Sequence, residues 1–405
     1  MDNGDAPSPG TNGKPSRLGR LWTRTRDFFG RLFRRKPPEP GRFETGSRSS
    51  LRGMVMTAPW IWPSREYTVY VPRGHSSWRR APLIVLIHGC RQTWEDIGHA
   101  TRITELADEI GCLVLLPHQH PRANAWGCWN WFDRATAAGR GETAILLAQV
   151  RAARRKYRIH PRRVYVAGLS SGAALASVIG IRNPAAIAGV IAHSGIACGA
   201  ASSPLAALGV LKNGADTDVL QIAREARAGN DAASLPVPLL VVQGSADNVV
   251  SPVNGVQLVR QYLALNGHAA ADSGKSGDLP PPDHRDVTMA DTRSVTTSEW
   301  RVGKRLVARH VLVDGLAHAW SGGDDKYDYA DTTVLFLFDP FGAATLQSAL
   351  ERIADGTRGR DVRIAYANPT HDEVFREQPW LDGGERLSRD RTGWEHDVTF
   401  YRGRR

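Results

Sequence analysis

The sequence predicts an α/β protein built on a mainly parallel, doubly wound sheet with helices on both faces. Three observations predict it. Short, continuous apolar runs such as Leu83–Ile87 and Cys112–Leu116 read as strands buried on both faces. They alternate with longer stretches at helical spacing, such as Thr143–Tyr157 and Val253–Leu265. The composition of the 405 residues, 41% hydrophobic and 23% charged, is that of an ordinary globular chain. It excludes collagen-like, coiled-coil and wholly disordered chains, and no run reaches the ~18 uncharged apolar residues of a membrane span.

Three regions are expected in order. Residues 1–53 form a basic arm. Within it, 1–16 are rich in Asp, Asn, Gly, Pro and Ser and are expected to be disordered. In 17–36, Leu18, Leu21, Trp22, Phe28, Phe29, Leu32 and Phe33 recur at helical spacing opposite Arg and Lys. That pattern suits a helix lying on an anionic membrane or polymer granule, or one packed on the main domain. Pro37, Pro38 and Pro40 mark a linker running to residue 53.

Residues 54–340 form the main domain. Its strands are expected at Tyr67–Val71, Leu83–Ile87, Cys112–Leu116, Val164–Ala167, Ile187–His193, Pro238–Val242 and, last, Arg305–Val313. Its helices are expected at Thr101–Ile110, Thr143–Tyr157, Ala173–Ile181 and Val253–Leu265. Residues 199–236 show little periodicity and suggest part of a cap, while 266–294 read as a surface excursion. Residues 341–405 are an extension of unassigned role.

Basic residues number 52 against 41 acidic, a net +11, and residues 1–36 carry nine Lys or Arg against three Asp. A basic arm on a nearly balanced body, without a recognisable nucleic-acid motif, argues against a nucleic-acid partner. The four cysteines include no C-x-x-C pair, which disfavours a zinc ribbon, and are too sparse for a disulfide scaffold, though one bridge is open to an oxidising compartment. No apolar segment of secretory-leader type stands near residue 1.

The strongest chemical signal is Gly168-Leu169-Ser170-Ser171-Gly172, a G-x-S-x-G between a strand and a helix. The glycines permit a sharp turn that exposes Ser170 as a nucleophile; Ser171 is the slipped alternative, and a plain helix cap is the structural one. A serine needs a base and the base an orienting acid, in the chain order Ser, Asp or Glu, His. Asp247, after the strand at Pro238–Val242, is the candidate acid, with Asp218 and Asp231 as rivals. His318, after the strand Arg305–Val313, is the candidate base, with His310 and His284 as rivals. The His88-Gly89-Cys90 turn offers the Cys90 backbone N–H, beside that of Ser171, as an oxyanion donor, leaving His88 a packing residue. In Gly127-Cys128-Trp129-Asn130-Trp131-Phe132 the aromatics read as a wall of the substrate cleft or as a packed loop. Trp320 is placed to line the same cleft.

Five segments together resemble the esterase family that includes polyhydroxybutyrate (PHB) depolymerases and related feruloyl and acetylxylan esterases. They are PLIVLIHGC (82–90), GCWNWF (127–132), RRVYVAGLSSGAA (162–174), QGSADNVVSPVNG (243–255) and GLAHAWSGG (315–323). The resemblance implies an α/β-hydrolase fold, a Ser170–Asp247–His318 triad, and a cleft bordered by Trp129, Asn130, Trp131 and Trp320. It makes Cys90 and Cys128 the candidate bridged pair, two buried free thiols being the alternative. It implies an extracellular enzyme, whereas the missing leader favours a cytoplasmic or surface-attached one.

The expected activity is carboxylic-ester hydrolysis on polymer, oligomer or small ester, without metal or organic cofactor. The first substrate class is a hydroxyalkanoate polymer. Plant-wall feruloyl or acetyl esters are the alternative, and a non-catalytic protein of a granule or membrane surface is the reading from another class. If the arm attaches to a surface, deleting residues 1–52 weakens co-sedimentation with anionic vesicles at low salt and spares hydrolysis of small soluble esters. Equal sedimentation of both proteins rules that role out.

Overall fold

Every second residue of a strand faces the same side, and the central strands obey this closely. The computed structural model describes residues 40–321 except 77, 231–235 and 291–292, and further 334–338, 347, 350, 351, 354, 363–367, 372–387 and 398–403. The amphipathic segment 17–36 and Asp231 lie outside the described residues.

In chain order the main body comprises β1 (Arg42–Ser49), β2 (Ser64–Val71), β3 (Ala81–Ile87), α1 (Trp94–Ala100), α2 (Ile103–Ile110), β4 (Leu113–Pro117) and α3 (Arg134–Ala137). Then follow α4 (Gly141–Lys156), β5 (Ile159–Leu169), α5 (Ser171–Arg182), β6 (Gly189–His193), α6 (Pro204–Asn213), α7 (Val219–Ala228) and β7 (Leu239–Gly244). The body continues with α8 (Pro252–Asn266), β8 (His284–Ala290), β9 (Arg293–Val302) and β10 (Arg305–Val313). The strands form one sheet in the order β1-β2-β4-β3-β5-β6-β7-β10-β9-β8. From β4 to β10 the six central strands are parallel, and two antiparallel strands flank them on each side.

Alternation divides the core in two. Leu83, Val85 and Ile87 of β3, with Leu113, Leu115, Val164 and Val166, pack against Leu146 and Val150 of α4, Leu175 of α5 and Leu258 of α8. Leu86, Val114, Leu116 and Leu169 turn the other way, onto Ile97 of α1 and Ile103 and Ala107 of α2. Helices therefore cover both faces, as the continuous apolar strands require.

Four expectations need correction. The linker expected over 37–53 contains β1, which pairs with β2 along its whole length. Its partly apolar edge-strand pattern is too weak to signal a strand, but Phe43 packs on Tyr70 and Trp94, and Glu44 accepts from Tyr157 at 2.7 Å and pairs with Lys156 at 2.6 Å. The stretch 199–236 holds α6, capped by Ser203 with Pro204 in its first turn, and α7, capped by Asp218. The excursion 266–294 holds β8, an exposed strand whose register comes only from pairing with β9. The helix expected over Thr101–Ile110 is α2, which begins at Ile103 because Arg102 turns left-handed ahead of it, and an unexpected α1 with a Thr93–Asp96 capping box precedes it.

Beyond the main body, β11 (Val334–Phe338), β12 (Arg363–Ala367), α9 (Asp372–Arg376), β13 (Leu381–Leu387) and β14 (Val398–Gly403) include a second sheet, ordered β11-β12-β14-β13. Arg305–Val313 is thus not the last strand, and the second sheet begins before the boundary expected at 340. Leu350, Ile364, Val374, Phe375, Leu381 and Tyr401 form its own apolar cluster.

Because β1 covers the edge of β2, removing residues 1–52 should cost stability that removing only 1–36 does not. A difference of ~2–4 °C in Tm per kcal/mol lost applies to domains of this order of size. We expect the shorter protein to melt at least 5 °C, or about two such increments, below the longer one in calorimetry. Equal melting of the two truncations would mean that β1 contributes nothing. A vesicle test of the arm should accordingly use the cut at 36.

Candidate active site

A chain leaving a buried strand and entering a helix without a loop must reverse in very few residues. β5 does so into α5 at Ser170, whose φ of 56° and ψ of −120° are unusual for a residue with a side chain. Such a conformation stores roughly 1–3 kcal/mol and persists because its surroundings enforce it. Gly168 and Gly172 make it feasible. A Cβ on Gly172 would sit 2.2 Å from the Ile87 carbonyl oxygen, and one on Gly168 2.4 Å from the Gly172 carbonyl carbon. The Ser170 N–H donates to the His193 carbonyl at 2.9 Å. Ser170 is thus held at the carboxyl end of the sheet, where ligands of open α/β sheets collect.

Asp247 and His318 lie beyond the same ends of β7 and β10. His318 Nδ1 stands 2.9 Å from Asp247 Oδ2. The other carboxylate oxygen accepts from the Val249 N–H at 3.0 Å and the Val250 N–H at 2.8 Å. Burial alone would raise the Asp247 pKa and is the largest single influence. The His318 hydrogen bond and charge, the Val250 N–H and the Ser194 side chain together outweigh it, so the carboxyl is held below its ordinary value. The two loops are pinned to each other: Ser245 Oγ accepts from the Gly315 N–H at 2.8 Å, and the Ala246 N–H donates to Leu316 at 3.1 Å. The Ser321 N–H donates to His193 Nε2 at 2.8 Å, which ties the His318 loop to the strand end that also holds Ser170.

The proposed oxyanion donors flank the turn. Ser171 heads α5, whose first N–H groups have no partner within the helix. A Cβ on Gly89 would lie 3.5 Å from that of Ser170, so the loop carrying Cys90 runs against the serine. Cys90 and Cys128 are joined by a disulfide bond, which ties this loop to the aromatic one. Cys112 and Cys198 are buried free thiols, both pushed up to about 11 by burial. His88 is buried, with its Nε2 accepting from the Gln119 N–H at 3.3 Å, and burial lowers its pKa.

The aromatic loop, read from the sequence as a cleft wall or a packed loop, has little exposed surface. Trp129, Asn130 and Trp131 are buried, Trp129 with no exposed surface at all. Trp129 and Trp131 belong to apolar clusters of the core, and Asn130 between them is held by Glu142, a fully buried carboxylate at the start of α4. It pairs with Arg65 at 3.1 Å, the two side chains being 0% and 1% exposed. It accepts from the Asn130 N–H at 2.7 Å, from Asn130 Nδ2 at 3.2 Å and from Gln119 Nε2 at 2.7 Å. Trp320 is half-buried and stacks on His193 with centroids 5.1 Å apart.

The rivals take other posts. Asp218 caps α7, His310 is buried within β10, and His284 is exposed on β8. Among the described residues no group of three or more His, Cys, Asp or Glu is placed to hold a metal ion. Sequence reasoning missed His193 and Ser194, although a His-Ser pair ending the strand next to the nucleophile strand was a usable signal. It also missed the Arg65–Glu142 pair, which joins residues far apart in the chain and leaves no local pattern.

A family model described as "Esterase PHB depolymerase" matches residues 65–279. A poly(3-hydroxybutyrate) depolymerase of Ralstonia pickettii is 27% identical over 302 residues, 72% of this chain and 57% of that protein. A poly(3-hydroxyalkanoate) depolymerase C of Paucimonas lemoignei is 29% identical over 208 residues, 49% of this chain and 48% of that protein. The chain thus spans about half the length of these two relatives. An acetyl xylan esterase from Aspergillus awamori, 21% identical, superposes with a TM-score of 0.55 over 68% of this chain and 94% of its own, a likeness of fold.

Removing one partner of a buried ion pair leaves the other charge uncompensated, at a cost of about 3–5 kcal/mol. Glu142→Gln should therefore lower the unfolding free energy by about that amount in urea titration. A loss under about 1 kcal/mol would mean that Arg65 does not depend on Glu142.

Proposed function

The chain belongs to the esterase PHB depolymerase family, and on that premise we propose that it hydrolyses carboxylic esters through a serine acyl-enzyme. The observation that carries the reading is the 2.9 Å contact between His318 Nδ1 and the ionised Asp247, beside the strained Ser170 turn. A carboxylate that accepts the Nδ1–H leaves Nε2 of the neutral imidazole free to take a proton.

Ser170 Oγ attacks the ester carbonyl while its proton passes to His318 Nε2. The C–O bond to the alcohol then breaks, and the imidazolium returns the proton to the departing alkoxide. Asp247 holds the ring in one tautomer and offsets its transient charge. Water repeats the sequence on the acyl-enzyme and releases the acid. The N–H groups of Cys90 and Ser171 face the developing oxyanion, where losing a single donor costs about 3–4 kcal/mol in a well-studied protease. The Cys90–Cys128 bond supports this by tying the donor loop to the loop that Glu142 anchors.

The two polyester depolymerases among the relatives favour a hydroxyalkanoate ester as substrate. A feruloyl esterase B of Neurospora crassa, 28% identical over 209 residues and aligned over 70% of its length, favours a plant-wall ester as the second reading. The basic segment 17–36 adds a proposed means of holding to an anionic membrane or granule surface.

Ser170→Ala should lower turnover of a short-chain p-nitrophenyl ester by roughly 10⁴–10⁶-fold. Ser170→Gly should be equally inactive yet about 1 kcal/mol more stable than Ser170→Ala, because glycine adopts a positive φ without strain. More than a tenth of wild-type turnover in either folded variant would remove Ser170 as nucleophile. Hydroxybutyrate oligomers, methyl ferulate and acetylated xylan, assayed side by side, separate the substrate classes.

A further inference from the structure

Two buried polar atoms near Asp247 have no hydrogen-bond partner among the described residues: Gln243 Oε1 on β7 and His310 Nε2 on β10. The residues that carry them are 0% and 4% exposed. Neighbouring strands bring them together. His310 pairs with Val241 in the parallel ladder of β7 and β10, so Gln243, two residues on, turns to the same face as His310. α8 passes over that face at Gly255. A Cβ there would lie 3.3 Å from Gln243 Oε1 and 3.6 Å from His310 Nε2, so the two orphaned atoms border one small space that the glycine leaves open.

The other end of the Gln243 amide is occupied. Its Nε2 donates to the Val250 carbonyl at 3.1 Å, to Asp247 Oδ2 at 3.3 Å and to the Gly244 carbonyl at 3.4 Å. Three acceptors around one end require the NH2 group there, because an oxygen would face only other oxygens. Oε1 is therefore turned away from Asp247 and toward His310. Val250 also donates its own N–H to Asp247 Oδ1 at 2.8 Å, so one side chain fixes both the carboxylate and the turn that holds it. His310 is neutral, because burial lowers its pKa to about 4, and it brings no charge to the shared space. Buried polar atoms without a protein partner are satisfied by ordered water, which needs at least two of them.

We propose that Gln243 and His310 are positioning residues for Asp247, joined by one buried water that bridges Gln243 Oε1 and His310 Nε2 beside Gly255. This rests on the serine-esterase reading above. The water donates to Oε1, which can only accept, and the imidazole holds it from the other side. With Oε1 held, the amide cannot turn over, and its Nε2 keeps Asp247 Oδ2 facing His318 Nδ1, 2.9 Å away. Both residues act through Asp247, not on the substrate, so their loss reduces kcat and leaves KM nearly unchanged.

Gln243→Met keeps the length of the side chain and deletes the amide. Losing a hydrogen bond to a charged group should lower kcat about 10-fold, with KM within about twofold. His310→Leu should lower kcat about 3- to 10-fold, and His310→Gln, which keeps a nitrogen near the place of Nε2, should restore most of that loss. A residue that only fills the core would show the reverse order, since the apolar side chain suits the core better. Gly255→Ala puts a methyl group where the water sits and should match the loss in His310→Leu. In a Gln243→Met background, His310→Leu should cause little further loss, because its route is already cut. The His310 and Gly255 variants decide the matter should Gln243→Met fail to fold. Unchanged kcat in folded Gln243→Met, equal kcat in His310→Leu and His310→Gln, no loss in Gly255→Ala, or full multiplication of the Gln243 and His310 losses would each overturn the inference. Turnover that survives Ser170→Ala would instead overturn the serine-esterase reading.

Discussion

The contact between Gly172 and the carbonyl groups that close β3 constrains the whole site. Two neighbouring parallel strands end at the same level, and the helix leaving one of them passes directly over the end of the other. A side chain at Gly172 would collide with Ile87 and His88. The close approach is what puts the strained Ser170 beside the loop of Gly89 and Cys90. It also aims the first N–H groups of α5 at the same point in space. Strain at Ser170 is tolerable because β3, β5 and β6 surround it with formed hydrogen bonds and packed core.

Around that turn, burial acts selectively on the ionisable groups. His88, His193 and His310 are buried without a carboxylate strong enough to hold a proton on them, and burial lowers the pKa of each. They are neutral structural rings. Asp247 is also shielded from water, but two backbone N–H groups, Ser194 and His318 keep it ionised. The outcome is one carboxylate and one facing imidazole among several inert histidines, which is the asymmetry that general-base chemistry needs.

A second buried carboxylate, Glu142, does related work away from the chemistry. Its four hydrogen-bonding or ionic contacts come from Arg65, Gln119 and Asn130, on three separate parts of the chain. Gln119 also donates to the Cys128 carbonyl at 2.8 Å, so the charge reaches the disulfide and, through it, the Cys90 loop. A fully satisfied polar network of this kind specifies a loop conformation that apolar packing alone would leave loose.

The sequence by itself determined the parallel sheet, because strands buried on both faces need continuous apolar residues, and the strand–turn–helix at Ser170, because no other local geometry demands glycines at 168 and 172. It also placed Ser170, Asp247 and His318, in that order, after three separate strands. What it left undecided depends on partners distant in the chain. The edge strand β1 and the exposed β8 take their conformation from β2 and β9, not from a pattern of their own. Trp129, Asn130 and Trp131 look alike in sequence whether they line a cleft or fill a core, and their burial, with Asn130 bound to Glu142, depends on partners distant in the chain. The contacts of His193 with the Ser170 and Ser321 N–H groups are likewise invisible until β6 stands between β5 and β7, because hydrogen-bond direction is a property of assembled neighbours and not of residue type.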